Sequence, residues 1–183
     1  LNPDTTQSPA YTNLPDEAAF GTVWAGVAGN QNLIGSSDAD LLDGGAGNDT
    51  LDGGAGNDAL LGGFGNDVYQ FNTGSGIDTV IEQDATAGNL DSVQFGAGIS
   101  KDQLRYAKVG NNLEVTITGN TRDKLILQDW YVGTANRVEQ FKFADGSSLD
   151  ASALQAKAPA NVVMAEDTTR EADIDSVTGL PVP

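Results

Sequence analysis

The sequence predicts an all-β chain: a solenoid of nonapeptide repeats, its short parallel strands stacked coil on coil, capped by a β-rich C-terminal domain. Three observations predict it. Gly, Gly, Gly, Asn and Asp recur in the same columns of GGAGNDTLD (44–52), GGAGNDALL (53–61) and GGFGNDVYQ (62–70). The eighth place of successive rows forms an apolar column, Leu33, Leu42, Leu51, Leu60 and Tyr69. No proline occurs from 16 to 158, as a continuous sheet ladder demands.

Residues 1–25, with Pro3, Pro9 and Pro15, read as a linker. Two eroded rows follow. GVAGNQNLI (26–34) has Gln31 in the Asp column, and GSSDADLLD (35–43) keeps Asp40. The Asp column then runs Asp40, Asp49, Asp58, Asp67. TGSGIDTVI (73–81) continues it with Asp78, shifted by two residues, and NLDSVQF (89–95) with Asp91, so the repeat region spans 26–95. Three residues around each apolar position are too short for a helix and alternate as a strand does. The glycine half of each row must turn the chain sharply. Strand plus turn in nine residues is half a coil, so about 18 residues close one full coil and stack as parallel strands over the next.

Residues 96–157 carry longer alternating strands, Leu104–Val109, Leu113–Thr118, Lys124–Leu127 and Val138–Phe143, with turns at Gly110-Asn111-Asn112 and Asp145-Gly146. Trp130, Tyr131, Phe141 and Phe143 read as the core of a cap that closes the open end of the stack. Residues 158–183, with Pro159, Pro181 and Pro183, read as a flexible tail.

Composition narrows the function. The net charge is −17 over 183 residues, and Lys101 is the first base, which excludes nucleic acid and anionic lipid as partners. No apolar run is long enough to insert in a bilayer. Without His or Cys there is no Ser-His-Asp triad, thiol nucleophile, ordinary zinc site or disulfide frame, so no enzyme is expected within this chain. The chain starts at Leu1 without a secretory leader and reads as a monomeric piece of a larger protein whose activity it does not reveal.

One apolar side chain per nine residues cannot offset ordering entropy of roughly 1–2 kcal/mol per residue, so something must bind. Residues 18 apart share one edge of the stack, which pairs Asp40 with Asp58 and Asp49 with Asp67. Bare carboxylates stacked this way repel. Carboxylates with the exposed carbonyls of glycine turns make an all-oxygen cage suited to Ca²⁺, and less so to Mg²⁺.

The motif G-G-x-G-x-D-x-U-x, intact three times over 44–70, resembles the RTX (repeats-in-toxin) calcium-binding parallel β-roll. DSVQF (91–95), GISKDQL (98–104), NNLEVTI (111–117), KLILQDWY (124–131) and VEQFKFADGS (138–147) resemble the haemolysin-type calcium-binding related domain, and the two resemblances cover about 26–150. They imply that Asp40, Asp49, Asp58, Asp67 and Asp78 ligate Ca²⁺, with Asp91 a weaker member because its row lacks the double glycine, and that Asp58/Asp78 and Asp67/Asp91 extend the two same-edge pairs. Backbone oxygens near Gly44, Gly45, Gly47, Gly53, Gly54, Gly56, Gly62, Gly63 and Gly65 would complete the shells of about three to five ions. They also imply a secreted, extracellular or cell-surface Gram-negative exoprotein, exported unfolded through type I secretion machinery and folding on calcium outside.

Other readings remain. A Gly/Asp-rich acidic run is a disordered linker when it binds nothing, the state expected without calcium. A carboxylate repeated this regularly seldom marks one catalytic dyad. Autocatalytic cleavage at Asp-Pro has no Asp-Pro bond to act on. The chain could instead be a segment of an RTX adhesin that contacts a cell-surface ligand, or the non-catalytic C-terminal part of a secreted protease or lipase.

Overall fold

A computed structural model describes residues 21–157. The tail expected over 158–183, and residues 1–20 of the expected linker, lie outside the described residues. The stack begins with β1 (Val23–Trp24), β2 (Val27–Ala28), β3 (Asn32–Ile34), β4 (Leu41–Asp43), β5 (Gly45–Ala46), β6 (Thr50–Asp52) and β7 (Ala59–Leu61). It continues with β8 (Val68–Phe71), β9 (Ile77–Ile81) and β10 (Ser92–Phe95). Then come β11 (Leu104–Val109), β12 (Asn112–Ile117), β13 (Lys124–Leu127), β14 (Gln140–Lys142), β15 (Ser148–Asp150) and the short helix α1 (Ala151–Lys157).

The chain alternates between two sheets. One has the order β1-β4-β7-β9-β13-β12-β11, the other β15-β14-β10-β8-β6-β3, and β2 pairs with β5 in a small third sheet. Each repeat thus supplies one strand to one sheet, and the next repeat supplies the other. Two repeats make a coil. The parallel register is Trp24↔Leu42, Leu42↔Leu60 and Leu60↔Val80 on one side, and Leu33↔Leu51, Leu51↔Tyr69 and Tyr69↔Val93 on the other. The apolar column therefore runs inward as expected, and Leu33, Leu42, Leu51, Leu60, Tyr69, Val80 and Val93 are buried in one cluster.

The register also shows where the ladder starts. Val23 and Trp24, inside the stretch expected to be linker, already pair in parallel with Leu41 and Leu42. The reason is spacing: they lie 18 residues before an intact strand, although the sequence ahead of them lacks the double-glycine row.

The cap is continuous with the stack. β13 pairs in parallel with β9 (Leu127↔Val80) and β14 with β10 (Val93↔Phe141), so each sheet gains one more rung. Only beyond those rungs does pairing become antiparallel, in β11/β12, β12/β13 and β14/β15. A parallel stack ends in rows of unpaired N–H and C=O groups, and these added strands satisfy them. Trp130, Phe141 and Phe143 join the same apolar cluster, with Tyr131 packed against it. Phe95 meets Phe141 edge-on at 5.1 Å between centroids and stacks on Phe143 at 5.2 Å.

Two features were not legible beforehand. Leu41, Ala59, Leu61 and Ile81 form a second buried cluster. They neighbour the inward residues of β4, β7 and β9, so strand alternation puts them on the opposite face of that sheet. The helix α1 starts at a cap: Asp150 Oδ1 accepts from Ala153 N at 2.9 Å and Ser152 Oγ at 2.6 Å, and α1 buries Leu154.

Leu51 is fully buried between Leu33 and Tyr69. Leu51→Ala should destabilise the calcium-saturated protein by about 2–5 kcal/mol, because coils pinned above and below cannot collapse into the void. Urea unfolding at constant calcium measures it.

Candidate metal centre

The site is built from the turns. Gly63 has φ +95° and Gly65 +124°, a region where side chains are strained. A Cβ at either would also overlap a backbone carbonyl oxygen of the coil before, that of Gly45 or Gly47. The first glycine of each row is needed for another reason: a Cβ on Gly44 would sit 2.5 Å from Asp49 Oδ2. The glycines therefore let successive turns nest, with carbonyls and carboxylates at close quarters.

The aspartates form two columns, one on each edge. In each, one carboxylate oxygen accepts a backbone N–H from the preceding coil. On one edge Thr22 N donates to Asp40 Oδ1 (2.7 Å), Asp40 N to Asp58 Oδ1 (2.8 Å) and Asp58 N to Asp78 Oδ1 (3.1 Å). On the other, Gln31 N donates to Asp49 Oδ1 (2.7 Å), Asp49 N to Asp67 Oδ1 (2.7 Å) and Asp67 N to Asp91 Oδ1 (2.8 Å). Both pairs read from the 18-residue spacing are thus brought together, as are Asp58/Asp78 and Asp67/Asp91 across longer coils, and each partner faces the next through a peptide N–H.

The second oxygen of each carboxylate separates the six. Oδ2 of Asp49, Asp58, Asp67 and Asp78 is buried with no hydrogen-bond partner. Asp40 Oδ2 instead accepts from Ser36 N, and Asp91 Oδ2 from Asn89 Nδ2 at 2.8 Å. A buried acceptor without a partner costs about 1–3 kcal/mol, and more when charged. Four such atoms in register beside glycine carbonyls, with no Lys or Arg before residue 101, fit a divalent cation with hard oxygen preference.

Electrostatics agrees. Burial raises Asp58 from 3.8 to about 6, with the charges of Asp40 and Asp52 adding to it. Burial lifts Asp67 to about 7, aided by Asp91, Asp49 and Asp84. Burial also lifts Asp78 to about 8, aided by Asp58 and Asp123. Asp49 and Asp91 are pushed up mainly by burial too. At Asp40 burial pushes up, but hydrogen bonds from Ser36 and Thr22 outweigh it and the carboxyl falls below its ordinary value. Three fully buried carboxyls so raised cost the ion-free fold about 3–4 kcal/mol each at neutral pH.

Several further residues contribute hydrogen bonds that the aspartate and glycine columns do not account for. An asparagine ladder flanks the aspartates: Asn48 N donates to Asn30 Oδ1 (2.8 Å), Asn66 N to Asn48 Oδ1 (2.9 Å), Ile77 N to Asn57 Oδ1 (3.0 Å) and Leu90 N to Asn66 Oδ1 (2.7 Å). Its column was visible in the rows; its bonding was not. Glu139 Oε2 accepts from Asp91 N at 2.8 Å and so ends one Asp column. Asp123 accepts from Gly74 N (2.7 Å) and Gly76 N (3.1 Å). Only the folded register brings these two acids to turns nearly 50 residues away.

Two family models match segments of the chain. Residues 26–69 match the RTX calcium-binding nonapeptide repeat, four copies, and residues 112–153 match the haemolysin-type calcium binding protein related domain. The iron-regulated protein FrpA of Neisseria meningitidis serogroup C is 37% identical over 90 residues, which is 48% of this chain and 8% of that protein. The chain thus spans a small part of that relative's length. Among solved structures, the AlgE6R3 subunit of the Azotobacter vinelandii mannuronan C5-epimerase aligns with a TM-score of 0.32 at 21% identity, covering 81% of this chain and 92% of that one. Among the described residues no helix is long and apolar enough to cross a membrane. The rows that stack as parallel coils are thus RTX calcium-binding nonapeptide repeats over residues 26–69, with a haemolysin-type calcium binding protein related domain over 112–153 behind them.

Proposed function

We propose that the chain is a calcium-dependent folding unit of a secreted bacterial exoprotein. The carrying observation is the set of four buried, partnerless Oδ2 atoms on Asp49, Asp58, Asp67 and Asp78. In this reading Ca²⁺ is held by those aspartates together with Asp40 and Asp91. Backbone oxygens around Gly44, Gly45, Gly47, Gly53, Gly54, Gly56, Gly62, Gly63 and Gly65 complete the shells of about three to five ions. The ion supplies the positive charge that the first 100 residues lack.

A site with a Kd near 10⁻⁴ M, in roughly millimolar calcium, stabilises the fold by about 1.4 kcal/mol. Four such sites contribute on the order of 5–6 kcal/mol, comparable with the whole net stability of a small domain. At submicromolar calcium the contribution vanishes. The chain then stays expanded inside the cell, passes through a type I exporter unfolded, and folds outside, where its closure resists back-sliding and steadies neighbouring parts of the parent protein.

Calcium titrated into the chelator-treated chain should raise the β signal in far-UV CD cooperatively, with a midpoint between about 0.1 and 1 mM. A spectrum that stays coil-like up to about 10 mM sinks the proposal.

A further inference from the structure

Where the regular repeats give way to the cap, one cluster differs from the repeated turns. Asp67, Glu82 and Asp91 each present an oxygen within 4.8 Å of the others, and all three side chains are buried. Glu82 follows β9 directly, in the place that Gly44, Gly53 and Gly62 hold after β4, β6 and β7. In the regular turns that place must be free of a side chain, as Gly44 shows, because a carboxylate oxygen lies against it. Here the coil is lengthened, so Asp91 reaches Asp67 from 24 residues away, and a glutamate enters instead.

The glutamate is held, yet not satisfied. Its Oε1 accepts the Tyr69 hydroxyl, and that hydroxyl oxygen accepts Gly62 N–H at 2.9 Å. Glu82 is only 2% exposed, and its Oε2 has no hydrogen-bond partner. Neither has Asp67 Oδ2. Two partnerless oxygens on two buried carboxylates, with a third carboxylate within reach, cannot all stay charged without a cation.

We propose that Asp67, Glu82 and Asp91 form a three-carboxylate calcium site that binds more tightly than the two-carboxylate turns and fills first as calcium rises. It rests on reading the Asp columns as calcium sites, and adds a residue outside the nonapeptide signature. Affinity for Ca²⁺ grows with the count of charged ligands and with rigidity. This site has one more carboxylate than a repeat turn, and Tyr69 fixes its orientation. Because the backbone N–H of Asp91 also donates to Glu139 Oε2, occupancy here ties the last regular coil to the cap.

Calorimetric titration of calcium into the ion-free full chain should resolve one ion bound at least about 10-fold more tightly than the rest. In Glu82→Gln that tight ion should be lost while the weaker ones remain and the CD spectrum at about 10 mM calcium is unchanged. Terbium gives a reading that does not depend on that variant's folding. Tyr69 lies against the site, so the first equivalent of Tb³⁺ should show tyrosine-sensitised emission that is mostly lost in Tyr69→Phe. Binding by wild type without a distinct tight ion, a tight ion retained in Glu82→Gln, or first-equivalent emission undiminished in Tyr69→Phe each overturns the proposal and leaves the calcium reading standing. Absence of calcium binding by the wild-type chain overturns both.

Discussion

Stripped of calcium, the protein should gain β structure on acidification from about pH 8 to about pH 4.5. Asp58, Asp67 and Asp78 are raised from 3.8 to about 6, 7 and 8, with burial the largest cause in each. A carboxyl raised in the folded state binds its proton more tightly there than in the unfolded chain. Its contribution is full below pH about 4 and is lost as pH climbs through the folded value. Over that window the three together cost the ion-free stack on the order of 10 kcal/mol, as much as a typical domain's net stability. Asp40 and Asp123, both lowered, act oppositely, but only as pH falls towards and below their ordinary value. The groups facing the three are also acids, Asp40, Asp49, Asp52, Asp84, Asp91 and Asp123, so repulsion adds to the same trend.

CD of the chelated protein across this range checks the direction. Replacing Asp58, Asp67 and Asp78 together by Asn keeps an acceptor for each preceding N–H and should flatten the pH profile. An ion-free chain that is more ordered at pH 8 than at 4.5 contradicts the account of these carboxyls. With calcium present the sign reverses: protons compete with the ion, so apparent affinity should fall as pH drops below about 7.

The second large effect is steric. Gly65→Ala should destabilise the calcium-bound protein by about 3–5 kcal/mol and shift the calcium midpoint upward. Part of this, roughly 1–2 kcal/mol, is the strain of a side chain at φ +124°. The rest comes from the overlap of the new methyl with the Gly47 carbonyl oxygen. Relieving it means parting two coils joined by Gly47 N–H to Phe64 O at 2.8 Å and Asn66 N–H to Asn48 Oδ1 at 2.9 Å. Gly98→Ala is the control. Gly98 also has positive φ, +93°, but nothing lies within 4 Å of an added Cβ, so about 1–2 kcal/mol is expected. Equal losses in urea unfolding of the two variants would mean that nesting of the turns contributes little.

Much of this architecture was legible because a repeat presents the same local problem many times. Nine-residue spacing put Leu42, Leu51 and Leu60 in one interior and placed Asp40 with Asp58 and Asp49 with Asp67. Even the two-residue slip before Asp78 reappears, as a partner 20 residues away instead of 18. The cap was harder. Its strands Leu104–Val109 and Lys124–Leu127 were readable by alternation, but their pairing was not, since β13 reaches β9 across a segment with no period. Leu41 and Leu61 were likewise missed, because one apolar column explained the rows and nothing marked a second buried face.

By itself, then, the sequence determined the coil, its 18-residue register and the two acidic edges, because periodic spacing converts directly into periodic position. Only the tertiary structure decided which oxygen of each aspartate is taken by a peptide N–H and which is left bare. It also decided that Glu82, Asp123 and Glu139 end up beside the turns. Those outcomes depend on how loops of unequal length return the chain to the stack. Hydrogen-bond satisfaction of a buried carboxylate is settled by atoms at about 3 Å, a scale that residue spacing does not resolve.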